Sequence, residues 1–325
     1  MMDILVVAEH HQGELHRMTM EAIAAAQAFG AELNLSSAAL LLGDDVDTAR
    51  NTLTALDLGE VLVAQHEQLR NYGSDSYTDA LCQVLEREQP AWVFLGHTYQ
   101  ARDFLPRVSG RLGIPLLSDI IAYRNGQDRP VFIKQVYNGR LSAELVSTGS
   151  AGRCLVSFQA VAFAADTVRA GSAVVRDLAL ELTAPAAGIQ AEAPFQETTE
   201  AVDLSGADLI VSVGRGLGSE ENLGVAKELA GALGAELACS RPVVDAGWLP
   251  ASRQVGSSGQ TVSPKLYLAL GISGAAQHLV GMKGAKHIIA VNKDTEAPIF
   301  DVADYGIVAD LMDIAPRLTE ALKAQ

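Results

Sequence analysis

The residues best suited to chemistry lie in the second half of the chain, each group following a short apolar run. After residues 208–213 comes Gly214-Arg215-Gly216-Leu217-Gly218-Ser219. Closely spaced glycines let backbone N–H groups approach a phosphate, and a helix N-terminus beyond them adds favourable partial charge. The spacing is GxGxG and not the GxGxxG of the dinucleotide fingerprint, so a tight strand-to-helix turn accounts for the glycines equally well. Arg215 inside the turn favours an anionic ligand. After residues 236–239 come Ser240 and Arg241, which can donate to a phosphate or to an electron-rich ring. The loop from Gln254 to Thr261 is crowded with glycine and hydroxyl side chains, as a ligand loop or a plain surface loop would be. After residues 265–270, Gly271-Ile272-Ser273-Gly274 opens a helical segment whose free N–H groups suit a pyrophosphate. Gln277 and His278 fall in the first turns of that helix, facing whatever is held. Asn292 ends a fourth apolar run and Asp310 follows a fifth. Five consecutive run ends with polar or glycine-rich groups are what a long, extended cofactor needs.

Other chemistries lack their residues. The seven histidines include no HExxH, and Cys82, Cys154 and Cys239 are too scattered for a metal or disulfide framework. Gly271-Ile272-Ser273-Gly274 is not the GxSxG nucleophile elbow, and no GxxxxGK[ST] phosphate loop occurs.

The elements that must position these groups alternate in type. Apolar runs at 3–8, 38–42, 61–64 and 91–95 predict strands, with amphipathic helices at 14–29, 47–56 and 75–88 between them. That alternation implies a parallel sheet covered by helices. Runs at 130–137, 141–147 and 153–158 follow without long helices, and Asn138-Gly139 is a hairpin signal, so they predict an antiparallel extension. Residues 183–203, rich in Ala, Pro, Gly and Glu, show no period and predict a linker. Strands at 208–213, 236–239, 265–270, 287–291 and 307–309, with helices at 221–233, 274–282 and 311–323, predict a second parallel sheet. The fold class is α/β with two doubly wound Rossmann-like domains, the first with an antiparallel extension. The boundaries are 1–185, a linker at 186–204, and 205–325.

Composition sets outer limits. The chain has 325 residues, of which 49% are apolar and 19% charged, enough for packed cores. Its formal charge of −15 argues against binding a nucleic-acid backbone. No apolar stretch reaches the ~18 residues of a membrane span, and the opening MMDILVVAEHH reads as a first strand and not a targeting peptide. A cytoplasmic protein, not embedded in a membrane, is expected.

At this level the residues resemble a known family. LYLALGISGAAQHLVGMKGAKHIIAVN at 266–292 is similar to the most specific motif of the electron transfer flavoprotein α-subunit family, and NKDTEAPIFDVADYGIVADL at 292–311 continues it. VGRGLGSEENL at 213–223, SRPVVDAGW at 240–248, ILVVAEH at 4–10 and LPRVSGRLGIPLLSDI at 105–120 also resemble it. The resemblance implies an electron carrier without metabolite turnover of its own. It would bind one FAD and pair with a β-subunit that carries AMP. Donors would be acyl-CoA dehydrogenases of fatty acid β-oxidation or other flavin dehydrogenases, and the acceptor a quinone oxidoreductase. Carried over by motif, Arg215, Ser240, Val255, Gly256, Ser257 and Ser258 would line the FAD site, with Arg241 near the isoalloxazine ring. Ser273, Gly274, Ala275, Ala276, Gln277, His278, Asn292, Asp310 and Leu311 would complete it. His278 and Arg241 would stabilise negative charge on the reduced ring, and Ser258 would hydrogen-bond its N5.

Two departures stand out. The family commonly has Gly-Gln-Thr-Gly where this chain has Gly256-Ser257-Ser258-Gly259, so Ser258 keeps the hydroxyl but lacks the methyl that restricts its rotamer. Ala276 replaces a bulkier aliphatic residue. Competing readings are an electron-bifurcating member of the same family, whose extra flavin would sit in the β-subunit, a nicotinamide-dependent oxidoreductase, and a non-redox nucleotide-binding module.

Overall fold

The computed structural model describes residues 2–11, 13–127, 129–137, 139, 141–148, 153–182, 191–192, 204 and 206–323. The chain forms two compact units, Met1–Pro194 and Phe195–Gln325. The expected linker and Asn138 of the expected hairpin lie largely or wholly outside the described residues.

In the first unit the order is β1 (Ile4–Ala8), a small hairpin of β2 (His10–His11) and β3 (Glu14–Leu15), α1 (Arg17–Leu33), β4 (Ser37–Gly43), α2 (Asp47–Thr54), β5 (Glu60–Gln65), α3 (Ser74–Glu88) and β6 (Trp92–Gly96). Then come α4 (Tyr99–Leu112), β7 (Leu116–Arg124), β8 (Val131–Val136), β9 (Leu141–Leu145), β10 (Cys154–Phe158) and β11 (Val174–Asp177). They build one sheet in the order β11-β5-β4-β1-β6-β10-β7-β8-β9. β1 is buried along its whole length, because helices cover both faces of a parallel sheet.

The antiparallel extension is real but smaller than expected. β7, β8 and β9 pair antiparallel in sequence, whereas β10 runs parallel to both β6 and β7 inside the sheet. The expectation for 153–158 is thus corrected. All five residues of β10 are buried, and its run CLVSF is continuous and apolar, as a strand covered on both faces must be. The helix before β7, α4, is not among the expected elements, although Ala101, Phe104, Leu105 and Val108 keep a helical period with Pro106 on the exposed face. Thr98 caps it, its hydroxyl accepting from the Ala101 N–H at 3.0 Å, and Gly113 ends it at φ 64°. β7 was likewise not expected, nor β11, which Arg176 fastens to the edge by ion pairs to Glu60 and Glu88, each at 2.8 Å. α1 starts at Arg17, not residue 14, because Glu14 and Leu15 pair with His11 and His10.

In the second unit the order is β12 (Leu209–Val213), α5 (Leu223–Leu233), β13 (Glu236–Cys239), α6 (Arg241–Asp245), β14 (Leu266–Leu270), α7 (Ala276–Met282), β15 (His287–Asn292), β16 (Tyr305–Val308) and α8 (Leu311–Lys323). The five strands are all parallel, in the order β13-β12-β14-β15-β16. β14 is central, and its alternation serves two cores. Leu268 and Leu270 pack on α5 and α8, and Tyr267 and Ala269 pack opposite, against Val255, Met282 and Ile299. Strand order reverses between β12 and β14, which places a ligand crevice beyond their carboxyl ends.

Candidate functional site

A cavity of about 660 Å³ opens at that switch point, within the size range of small-molecule and cofactor sites. Its wall comes from the ends of β12, β13, β14 and β15 and from the loop after α6. The ends of β12 and β14 interlock. A Cβ on Gly216 would stand 2.7 Å from the Gly271 Cα, and one on Gly271, at φ +63°, only 2.8 Å from the Gly216 Cα. The glycines of the first motif therefore allow two backbone turns to touch, and Arg215, exposed between them, is the element that faces the cavity.

Beyond β13, Ser240 precedes α6 and Arg241 begins it. Arg241 lies 3.5 Å from Asp245, one turn on, and the two side chains are 68% and 63% exposed. Both line the cavity. The loop that follows is tightly tied. Val255 N–H donates to the Cys239 carbonyl at 2.9 Å, and Gln260 N–H donates to the Gln254 carbonyl at 2.7 Å. Gly259 N–H closes a turn on the Gly256 carbonyl at 3.0 Å, which puts Ser257 and Ser258 at its tip, both exposed to the cavity. Ser257 N–H donates to the Gln277 carbonyl at 2.8 Å, joining this tip to α7. A Cβ on Gly281 would fall 2.5 Å from the Gly256 Cα, so the helix rests directly on the loop. Gln254, buried, donates from Nε2 to Ser258 Oγ at 3.0 Å. Its amide holds the hydroxyl that has no methyl to hold it.

The helix expected from 274 begins at Ala276, because Gly274 adopts φ +84° to bring its backbone against Ile299. Ser273, Ala275 and Gln277 line the cavity. His278 lies on its wall but is buried, so it does not face the cavity as openly as the helix pattern implies. Nε2 is 3.0 Å from the hydroxyl of Tyr267, which is fully buried, and Nδ1 is buried with no partner aligned for a hydrogen bond. Burial pushes the imidazole pKa down to about 4, with the Val255 backbone opposing weakly, so the ring is neutral at pH 7.

Asn292 lines the cavity and also braces it, donating to the Ile272 carbonyl at 2.8 Å and accepting from the Asp294 N–H at 3.0 Å. Four of the expected site residues lie off the wall: Gly274, Ala276, Asp310 and Leu311. Asp310 accepts from the Met312 N–H at 2.9 Å at the start of α8 and pairs with Lys293 at 2.8 Å, which holds its carboxyl below the usual range. Leu311 is buried in the core beside Gly271. Asp245, Gln254 and Asp294 are wall residues the motif reading missed. Asp245 was legible as the i+4 neighbour of Arg241. Gln254 was not, since only the folded loop turns it towards Ser258.

The switch point of the first unit, beyond β1 and β6, holds a space of only about 10 Å³. A Cβ on Gly96 would meet the Met18 Cβ at 2.5 Å, and Thr98 Oγ1 donates to Glu9 at 2.5 Å across the entrance. The room there is that of a single water at most. Among the described residues no cluster of metal-ligating side chains occurs, and no helix is long and apolar enough to cross a membrane.

The family described as "Electron transfer flavoprotein domain" matches residues 4–183, and "Electron transfer flavoprotein FAD-binding domain" matches residues 203–283. The electron transfer flavoprotein subunit alpha of Bacillus subtilis is 37% identical over 321 residues, covering 98% of this chain and 97% of that protein. That of Mycobacterium leprae is 36% identical over 330 residues, covering 100% and 99%. A protein of Anaerotignum propionicum called acryloyl-CoA reductase electron transfer subunit beta is 34% identical, covering 99% and 95%. An FAD-binding domain on the unit that carries the cavity, and similarity along the full length, place this chain in the electron transfer flavoprotein family as a subunit of the α type.

Proposed function

We propose that the chain holds one FAD in the cavity of its second unit and works as the α-subunit of a heterodimer whose β-subunit carries AMP. Electrons arrive from flavin dehydrogenases, such as acyl-CoA dehydrogenases, and leave to a quinone oxidoreductase or another acceptor, in the cytoplasm. The observation that carries this reading is the cavity itself. It lies at the switch point, it is large enough for a cofactor, and its wall combines a buried, unpaired imidazole nitrogen with two serines on a braced turn.

The bound flavin would supply the redox chemistry, and the chain supplies position, charge and access. Ser257 and Ser258 present hydroxyls from a turn that three backbone contacts fix, so neither must be reoriented when a ligand enters. Gln254 donates to Ser258 Oγ, so the Ser258 proton is directed away from Gln254 and is free for an acceptor in the cavity. Arg241 and Arg215 bring positive charge to a rim on an otherwise acidic molecule. His278 contributes as a neutral group.

The test is an absorption and fluorescence spectrum of the chain co-expressed with its partner subunit, with FAD added if needed. Flavin bands at one equivalent per heterodimer are expected, and their loss in a Gly281→Leu variant that fills the space under the loop. A colourless preparation that also rejects added FAD would overturn the proposal. A second reading leaves the cavity unchanged and adds a flavin in the partner subunit. In it, this subunit works in an electron-bifurcating pair, and two flavins per heterodimer in the same spectrum would mark it.

A further inference from the structure

Tyr267 on β14 touches the cavity wall from behind. It does not line the cavity; its hydroxyl meets His278 Nε2 at 3.0 Å, the two rings being 6.1 Å apart between centroids. A phenol and a neutral imidazole can share this contact in two ways, and each leaves the second ring nitrogen in a different state. If Nε2 carried the proton it would donate to the phenol oxygen, and the buried Tyr267 proton would have no aligned acceptor. Nδ1 would then be a bare lone pair, also without an aligned partner. If Tyr267 donates to Nε2, the phenol proton is satisfied, and only one N–H remains to be met.

We propose that Tyr267 is a positioning residue that fixes the tautomer of His278: its hydroxyl donates to Nε2 and leaves the single imidazole proton on Nδ1, for an acceptor atom of the ligand in the cavity. That the ligand is FAD rests on the function proposed above, while the tautomer does not. His278 then serves an electron-rich carbonyl edge as a neutral donor, a role a protonated imidazole would fill only at the cost of a buried charge. A ligand lacking an acceptor at that edge would leave the N–H buried and unmet, so the pair also selects ligand chemistry.

The experiment is nitrogen NMR on the full chain co-purified with its partner subunit, with 15N-labelled histidine. The His278 signal is found by difference from a His278→Gln variant. A single Nδ1–H tautomer is expected from pH 6 to 8, and Tyr267→Phe should populate Nε2–H. Tyr267→Phe should also weaken FAD binding about five-fold, read by flavin fluorescence after the cofactor is stripped and titrated back. A wild-type signal with the proton on Nε2, or a doubly protonated ring, would overturn the proposal even if Tyr267→Phe failed to fold. A tautomer unmoved by Tyr267→Phe would also overturn it. Failure of every preparation to take up FAD, with the Nδ1–H tautomer present, would strike the FAD reading and leave the Tyr267 assignment standing.

Discussion

Arg241 does not face the cavity as an isolated cation. Asp245 lies 3.5 Å away on the same short helix, and both side chains are open to solvent, where such a pair attracts weakly and is screened by salt. Removing either charge therefore shifts the potential in opposite directions. Arg241→Ala should make the bound flavin harder to reduce, and Asp245→Asn should make it easier, each by up to ~59 mV, a factor of ten for a one-electron step. Potentiometric titration of both variants checks this, and shifts of the same sign would contradict it. Gln254→Leu should mimic Ser258→Ala, and the double variant should add little to either, because both act on one hydroxyl. His278 gives a prediction in pH. Its pKa is near 6.5 unfolded and about 4 folded, so as pH falls the unfolded chain binds the proton first. The stability that the neutral ring contributes is complete above about pH 6.5 and is lost by about pH 4, an effect of about 3 kcal/mol. Denaturant unfolding of wild type and His278→Gln, followed through Trp248 in a Trp92→Phe background, should show their difference changing across that window.

At the scale of elements, the site depends on backbones that touch. Gly216 and Gly271 bring the ends of β12 and β14 together, and Gly281 seats α7 on the loop that presents Ser257 and Ser258. Gly271→Ala adds both a contact within 2.8 Å and a strained φ of +63°, so it should destabilise the second unit by about 2 kcal/mol or more. Thermal unfolding measures this, and a change under about 0.5 kcal/mol would mean the turns can part without cost. The sequence showed Gly216 in a turn open equally to a phosphate and to a tight chain reversal, because spacing alone does not tell a ligand from a neighbouring backbone. It also showed β10 as an apolar run. It could not show that β10 returns to the middle of the sheet, since the strand's partners are far away in sequence.

At the scale of the molecule, the two units carry separate cores. The core residues on both faces of β14 all belong to the second unit, and those around β1 all belong to the first. A fragment of residues 195–325 should therefore fold alone and unfold cooperatively through Trp248. A broad, non-cooperative transition would show that it needs its neighbour. Much about this protein was determined by the sequence itself. Alternating apolar runs dictated two parallel α/β sheets, because each period admits one way to bury its apolar face. Polar and glycine-rich groups at five consecutive run ends pointed to the carboxyl ends of the second sheet, where the cavity opens. The family followed from the same stretches. Tertiary structure alone decided that the first switch point is filled by Met18 and closed by Glu9 and Thr98. It alone decided that Asp310 accepts from the Met312 N–H at the start of α8 and that Leu311 is buried beside Gly271. It alone put Tyr267 behind His278, and Gln254 beside Ser258. The physical reason is common to all of these. Pattern and composition report which face of an element is apolar, whereas proton positions and blocked crevices depend on which side chains meet across elements.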